Sequence, residues 1–185
     1  LGIDIGTSAI KVVQLHNYHG TITLESYGEV DLARYRNQGA LIGSPLAPEV
    51  VATAILDLVH EVAMTARSGG VSLPAVSSLI GVIGMPGRDE EQLKKLIHSE
   101  VQKYIPTPIE DIMLDWFVIP DETPARSAFD VLRRGAAVTA HEERVLFAAI
   151  PKHTTEMFDA IMKAGSLSAD FYEIEAFSGA RSVAD

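Results

Sequence analysis

The chain has 185 residues, 47% of them hydrophobic and 22% charged, with no cysteine and a formal net charge of -10. That apolar content can bury a core as one large domain or two small ones, which excludes disorder over anything longer than a loop. The acidic balance argues against a nucleic-acid partner, whose backbone is bound through Lys and Arg displacing counterions, and the lack of cysteine excludes disulfides and thiolate metal sites.

Leu1, Ile3 and Ile5 alternate up to a Gly6-Thr7-Ser8 corner, and Ile10, Val12, Val13 and Leu15 follow it. This pattern predicts two opening strands joined by a tight turn. After a turn at His19-Gly20, Ile22, Leu24 and Val30 predict a third strand over residues 21–30, and with it an antiparallel meander. Over residues 48–64, Val51, Ala54, Ile55, Leu58, Val59 and Val62 recur at helical spacing, with Gly69-Gly70 just past the end. Asp57 and Glu61 interrupt this stretch as on a helix that faces solvent. No run of 18 apolar residues occurs, so no transmembrane segment is expected. Nor does a basic segment precede an apolar one as in a signal peptide, and a cytosolic address is the expectation.

Residues 79–83 form a short apolar run interrupted by Gly81, and a Met85-Pro86-Gly87 turn is expected to separate it from a helix over 89–104. Leu93, Ile97, Val101 and Tyr104 form the stripe expected to be buried, while Lys94, Lys95 and Lys103 lie off it. Pro106 and Pro108 end this helix, because proline lacks the amide donor that a helical turn requires. A strand over 114–119, a loop over 120–126, an ambiguous stretch at 131–138 and a strand over 144–150 come next. A helix over 154–164 with Gly165 as its C-terminal cap and a strand over 171–176 complete the reading. The chain begins at Leu1 and stops at Asp185 after a helix-like stretch, so it is expected to be a portion of a longer protein.

The run Leu1-Gly2-Ile3-Asp4-Ile5-Gly6-Thr7-Ser8-Ala9-Ile10-Lys11 carries the most chemistry. It places an aspartate near a strand end, then a turn whose backbone N–H groups can converge on an oxyanion, then a lysine on the returning strand facing the same mouth. Gly6 admits a phosphate close to the backbone, Thr7 and Ser8 add hydroxyl donors, Lys11 neutralises charge, and Asp4 can hold Mg2+ through its water shell. The residues alone leave a plain hairpin with ordinary turn residues equally open.

Other candidates favour structural readings. His16 and His19 lie by a hairpin turn without a carboxylate at ligand spacing, and zinc takes four ligands, so solvated histidines are expected. Lys94-Lys95 shares its helix with Glu90, Glu91 and Glu100 and reads as a salt-bridged surface, and Arg133-Arg134 is set aside in the same way. Trp116 and Phe117 are adjacent on one strand and must face opposite sides, so one is expected in the core and the other is free to meet a partner.

Ile3-Asp4-Ile5-Gly6-Thr7, with Lys11 four residues on, resembles the first phosphate motif of the actin and sugar-kinase superfamily. His98-Ser99-Glu100-Val101-Gln102-Lys103-Tyr104-Ile105-Pro106-Thr107-Pro108-Ile109 and Leu114-Asp115-Trp116-Phe117-Val118-Ile119 resemble a helix, a proline turn and a strand of the type IV pilus assembly PilM family. Tyr172-Glu173-Ile174-Glu175-Ala176-Phe177 resembles that family's crossing back to its core. The resemblance implies an α/β fold: the N-terminal half of an actin-like, ribonuclease H-like core over residues 1–73 and 170–185, with an inserted small α/β subdomain over 74–169. It departs from the family at residues 76–85, a stretch shorter than usual, and the second phosphate loop is expected downstream of Asp185.

The implied function is a nucleotide-binding platform on the cytoplasmic side of the inner membrane. Its cofactors would be ATP and Mg2+, bound at Asp4, Gly6, Thr7, Ser8 and Lys11, with Asp4 on the metal's water. Its partners would be the N-terminal peptide of PilN, the pilus inner-membrane complex and the motor ATPases. The segment from Tyr104 to Phe117 would border the peptide's groove, although its prolines equally read as a helix stop. The whole protein would be at most a weak ATPase, and this portion alone inactive. An FtsA-like division protein and a sugar kinase are the alternatives.

Overall fold

The computed structural model of the protein describes residues 1–36, 46–86, 90–120 and 142–184. In chain order the strands and α-helices are β1 (Gly2–Ile5), β2 (Ala9–Tyr18), β3 (Thr21–Asp31), α1 (Pro48–Glu61), β4 (Ser68–Leu73), β5 (Leu79–Pro86), α2 (Glu90–Gln102), β6 (Ile112–Val118), β7 (Glu142–Pro151), α3 (Lys152–Ala164), β8 (Ser168–Ile174) and α4 (Glu175–Val183). Contacts divide the chain into two compact units: Leu1–Ser77 with His153–Asp185, and Ser78–Lys152. The expected insert, 74–169, thus differs from the contact boundary, which assigns nearly all of α3 and the start of β8 to the first unit.

In the first unit a five-stranded sheet runs in the order β3-β2-β1-β4-β8. The opening meander forms as expected, β1 antiparallel to β2 and β2 to β3, because short turns can only return the chain antiparallel. β4 then lies parallel to β1, and β8 parallel to β4. A parallel neighbour requires a crossover, and α1 supplies it between β3 and β4. Pro48 occupies the first turn of α1, where a missing N–H costs nothing. Its buried stripe of Val51, Ala54, Ile55, Leu58 and Val59 covers the sheet face that carries Ile3, Ile5, Ile10, Val12, Val71 and Leu73. A methyl group built on Gly28, on that same face of β3, would collide with Leu58 and Val62, which shows how closely α1 approaches. On α3, Phe158, Ile161 and Met162 are buried, and Asp159 accepts a hydrogen bond from the Tyr172 hydroxyl of β8.

Both α1 and α3 end in the same way. Ala63, with φ of 51°, donates to the His60 carbonyl at 3.2 Å, and Met64 donates back to Val59 at 3.0 Å. Ser166, with φ of 58°, donates to Lys163 at 3.1 Å, and Leu167 to Met162 at 2.8 Å. These paired bonds satisfy the last helical carbonyls through a residue in the left-handed region. The expected cap, Gly165, stands one residue early: its N–H still bonds to Ile161, and Ser166 makes the left-handed turn.

The second unit is a three-stranded antiparallel sheet, β5-β7-β6. Leu93, Ile97 and Val101 of α2 share a buried cluster with Ile83, Met85, Ile112, Val145, Phe147 and Ala149. Tyr104, expected in this stripe, is exposed, and Ile105 takes the buried place because the helix has already ended at Gln102. Trp116 packs against the cluster while Phe117 is exposed, as their adjacency requires.

Three further expectations are corrected. Met85 and Pro86 do not turn the chain but extend β5, opposite Glu143 and Glu142. Residues 68–73, passed over as the punctuation after a helix, form β4, a central strand of the first sheet. The last predicted strand ends at Ile174, and Glu175 and Ala176 open α4 instead. Gly87, Asp89, the stretch 131–138, the pair Arg133-Arg134 and all of the 120–126 loop after Pro120 lie outside the described residues.

Candidate functional site

The turn between β1 and β2 is closed by its own backbone. Gly6 N–H donates to the Ala9 carbonyl at 3.0 Å, and the Ser8 carbonyl accepts from Leu32 N–H at 2.8 Å. A Cβ on Gly6 would stand 3.1 Å from the Ala9 oxygen, so glycine serves the closure of the turn itself. The Gly6 N–H is thus committed internally, so it is not among the turn's free donors. The N–H groups of Thr7 and Ser8 have no backbone partner among the described residues, and both side chains are exposed. Thr7 and Ser8 therefore carry the donors that can face an anion.

Strand register sets the rest of the site. Lys11 is directly opposite Asp4, Asp4 lies beside Ser72, and Ser72 beside Glu173. Glu29 of β3 completes the row on the other side of Lys11. Because successive strand residues alternate faces, all five side chains occupy the sheet face turned away from α1. The neighbouring row contains Tyr27, Val13, Gly2, Gly70 and Phe171. A Cβ on Gly70 would overlap the Phe171 ring, so the bare backbone there lets the ring lie across the sheet.

A cleft of about 480 Å3 opens on this face, within the size range of ligand pockets. Asp4, Lys11, Ser72 and Glu173 line it, and Glu175, Ser178 and Ser182 form its wall on one side of α4. Gly6, Thr7 and Ser8 do not line the cleft, so the expected five-residue set divides into two cleft residues and a separate turn. The side chains of Asp4, Lys11 and Ser72 make no hydrogen bond or ion pair among the described residues. Glu173 and Glu175 are engaged: the first pairs with Arg181, and the second accepts from Ala75 N–H at 2.9 Å. The unpaired Asp4 carboxylate fits Mg2+, which keeps most of its water and takes one or two carboxylates alongside phosphate oxygens. No group of three or more potential metal ligands gathers among the described residues, so phosphate would have to complete such a site.

Sequence reasoning missed Ser72 and Glu173 as site residues. The signal for Ser72 was present in the alternation of Val71 and Leu73 with Gly70 and Ser72, but the glycine pair masked it. His16 and His19 are exposed at the far end of the β2–β3 hairpin, where the His16 ring stacks on Tyr18. No helix among the described residues is long and apolar enough to cross a membrane.

Comparison with known proteins agrees with this architecture. A chain of a PilM-PilN type IV pilus biogenesis complex superposes with a TM-score of 0.73 at 20% identity, over 97% of this chain and 48% of that one. The cytoplasmic domain of EpsL, an inner-membrane component of the Vibrio cholerae type II secretion system, superposes with a TM-score of 0.52 at 12% identity, over 92% of this chain and 55% of that one. The chain thus spans about half the length of the solved structures it matches. The fold class is the expected actin-like α/β one. The family model described as type IV pilus assembly protein PilM matches residues 2–184, and the chain belongs to that family.

Proposed function

We propose that this chain supplies the phosphate-binding half of an ATP site in a cytoplasmic platform for type IV pilus assembly, a platform that takes the N-terminal peptide of PilN. One observation carries the nucleotide reading: Asp4 and Lys11, direct cross-strand neighbours of opposite charge, face a cleft without engaging each other or any described group. Cross-strand neighbours have Cβ atoms about 5 Å apart, close enough for opposite charges to pair. Here they lie near the carboxyl ends of parallel strands, where open α/β sheets receive ligands.

In this reading Lys11 neutralises phosphate charge, Thr7 and Ser8 donate from the turn, and Asp4 orients the water around Mg2+. Asp4 would hold the ion through its water, and the ion would supply neutralising charge to the phosphate. The partner half of the reading rests on the matched complex, which contains PilN, and on family membership. Association with the pilus inner-membrane complex and its motor ATPases belongs to the same proposal.

Calorimetric titration with Mg·ATP tests the nucleotide reading. Lys11→Ala is expected to weaken binding by about 1.5 to 3 kcal/mol, the loss of a hydrogen bond to a charged group. Equal affinity in the variant and the parent would remove Lys11 from the site. Titration with a synthetic PilN N-terminal peptide is expected to move backbone amide resonances between Tyr104 and Phe117, and no movement there would contradict the peptide reading.

A further inference from the structure

Ser72 stands at a position where a central strand of a parallel sheet ordinarily carries an apolar side chain. β4 is flanked by β1 and β8, both parallel to it, and its neighbours Val71 and Leu73 are buried on the opposite face. The Ser72 side chain is half-buried, lines the cleft, and has no hydrogen-bond partner among the described residues. In the row it falls between two carboxylates, Asp4 and Glu173. Of these Glu173 is held by Arg181, whereas Asp4 is unpaired.

We infer that the Ser72 hydroxyl is a further ligand-binding group of the phosphate site, acting with Asp4 on the same bound Mg2+–phosphate group. The inference rests on the nucleotide reading above. Adjacent strands lie about 4.8 Å apart, so a hydroxyl beside Asp4 reaches the same hydrated ion or phosphate oxygen that the carboxylate reaches. A hydroxyl both donates and accepts, and it suits a place where a third carboxylate would repel the phosphate and an alkyl group would leave its oxygens unmatched. Lys11, on the other side of Asp4, contributes the charge, and Ser72 contributes a neutral contact. No substitution of Ser72 is needed for the core, which lies on the other face of β4.

The test titrates Mg·ADP into the full-length protein that carries both halves of the site and into its Ser72→Ala, Ser72→Thr and Lys11→Ala variants, following backbone amide shifts for both fold and affinity. Mn2+ in place of Mg2+ then provides a second readout through line broadening. Ser72→Ala is expected to bind about ten- to a hundredfold more weakly, the loss of one hydrogen bond to a charged group. Ser72→Thr, which keeps the hydroxyl, is expected to stay near the parent, and Mn2+ is expected to broaden the Asp4 and Ser72 amides most. If Lys11→Ala weakens binding while Ser72→Ala binds like the parent, the Ser72 inference is overturned and the nucleotide reading stands. Broadening confined to the Thr7 and Ser8 turn would overturn it as well. A parent that does not bind Mg·ADP at all overturns both.

Discussion

At the residue scale, two kinds of polar side chain occur in the first unit, and they differ in whether the fold has used them. Gln14 is buried and fully engaged. Its Nε2 donates to Glu25 and Thr65, each at 2.7 Å, and its Oε1 accepts from the Thr65 and Ala66 amides at 3.1 and 3.0 Å. It thereby ties the stretch after α1 to β2, where the register with β3 shifts between Gln14 and Leu15. Gln14→Leu keeps the volume but strands two backbone donors, and it is expected to cost about 2 to 3 kcal/mol in urea unfolding. A loss below about 0.5 kcal/mol would mean that water replaces the amide there. The side chains of Asp4, Lys11 and Ser72, by contrast, have no partner among the described residues, and all three line the cleft, which is what supports proposing them as site residues. Asp4 and Lys11 were legible in the sequence because a turn and two short strands fix their spacing. Ser72 and Glu173 were not, since the place of Ser72 beside Asp4, and of Glu173 beside Ser72, depends on pairing between strands far apart in the chain.

At the scale of elements, periodicity identified α1 and α2, each of which buries one clean stripe, and the three opening strands, although in β3 Ile22 and Leu24 are exposed and Val30 alone of the alternating set is buried. It failed at β4, where two glycines and two serines lower the apolar signal of a central strand. It also failed at Pro86, which the sequence marks as a breaker and which instead closes β5 at its last position. Between α2 and β6, Gln102 does what the prolines cannot: it donates to the Ile105 and Thr107 carbonyls and accepts from Ile109 N–H at 2.7 Å. That fixes the exit of the chain from the helix by side-chain bonds as well as by the rings of Pro106 and Pro108. The helix ends offer a separate check. Ser166 holds a left-handed conformation that costs an L-residue about 1 to 2 kcal/mol, part of which glycine returns as entropy in the unfolded chain. Ser166→Gly is therefore expected to raise stability by about 0.5 to 1 kcal/mol in thermal or urea unfolding. A destabilised variant would show that the Ser166 side chain holds a contact that outweighs the strain.

For the whole molecule, the charge of -10 makes a polyanionic ligand unwelcome except where a cation has been set in place. Lys11 is the cation in the row that crosses the first sheet, and in the proposed function Asp4 beside it would hold the metal ion that reconciles its carboxylate with phosphate. The family and the fold class were readable from the opening hairpin and the proline turn, while the unit to which α3 belongs was not, because contacts rather than motifs decide it. The central claim is that the β1–β2 hairpin and its row of free polar groups bind the phosphates of ATP. Its most direct measurement is a backbone amide shift map of this chain titrated with Mg·ATP, beside an identical titration without Mg2+. The predicted result is a set of metal-dependent shifts concentrated at Asp4, Thr7, Ser8, Lys11 and Ser72. Shifts absent at millimolar nucleotide, or confined to β6 and β7 of the second unit, would contradict it.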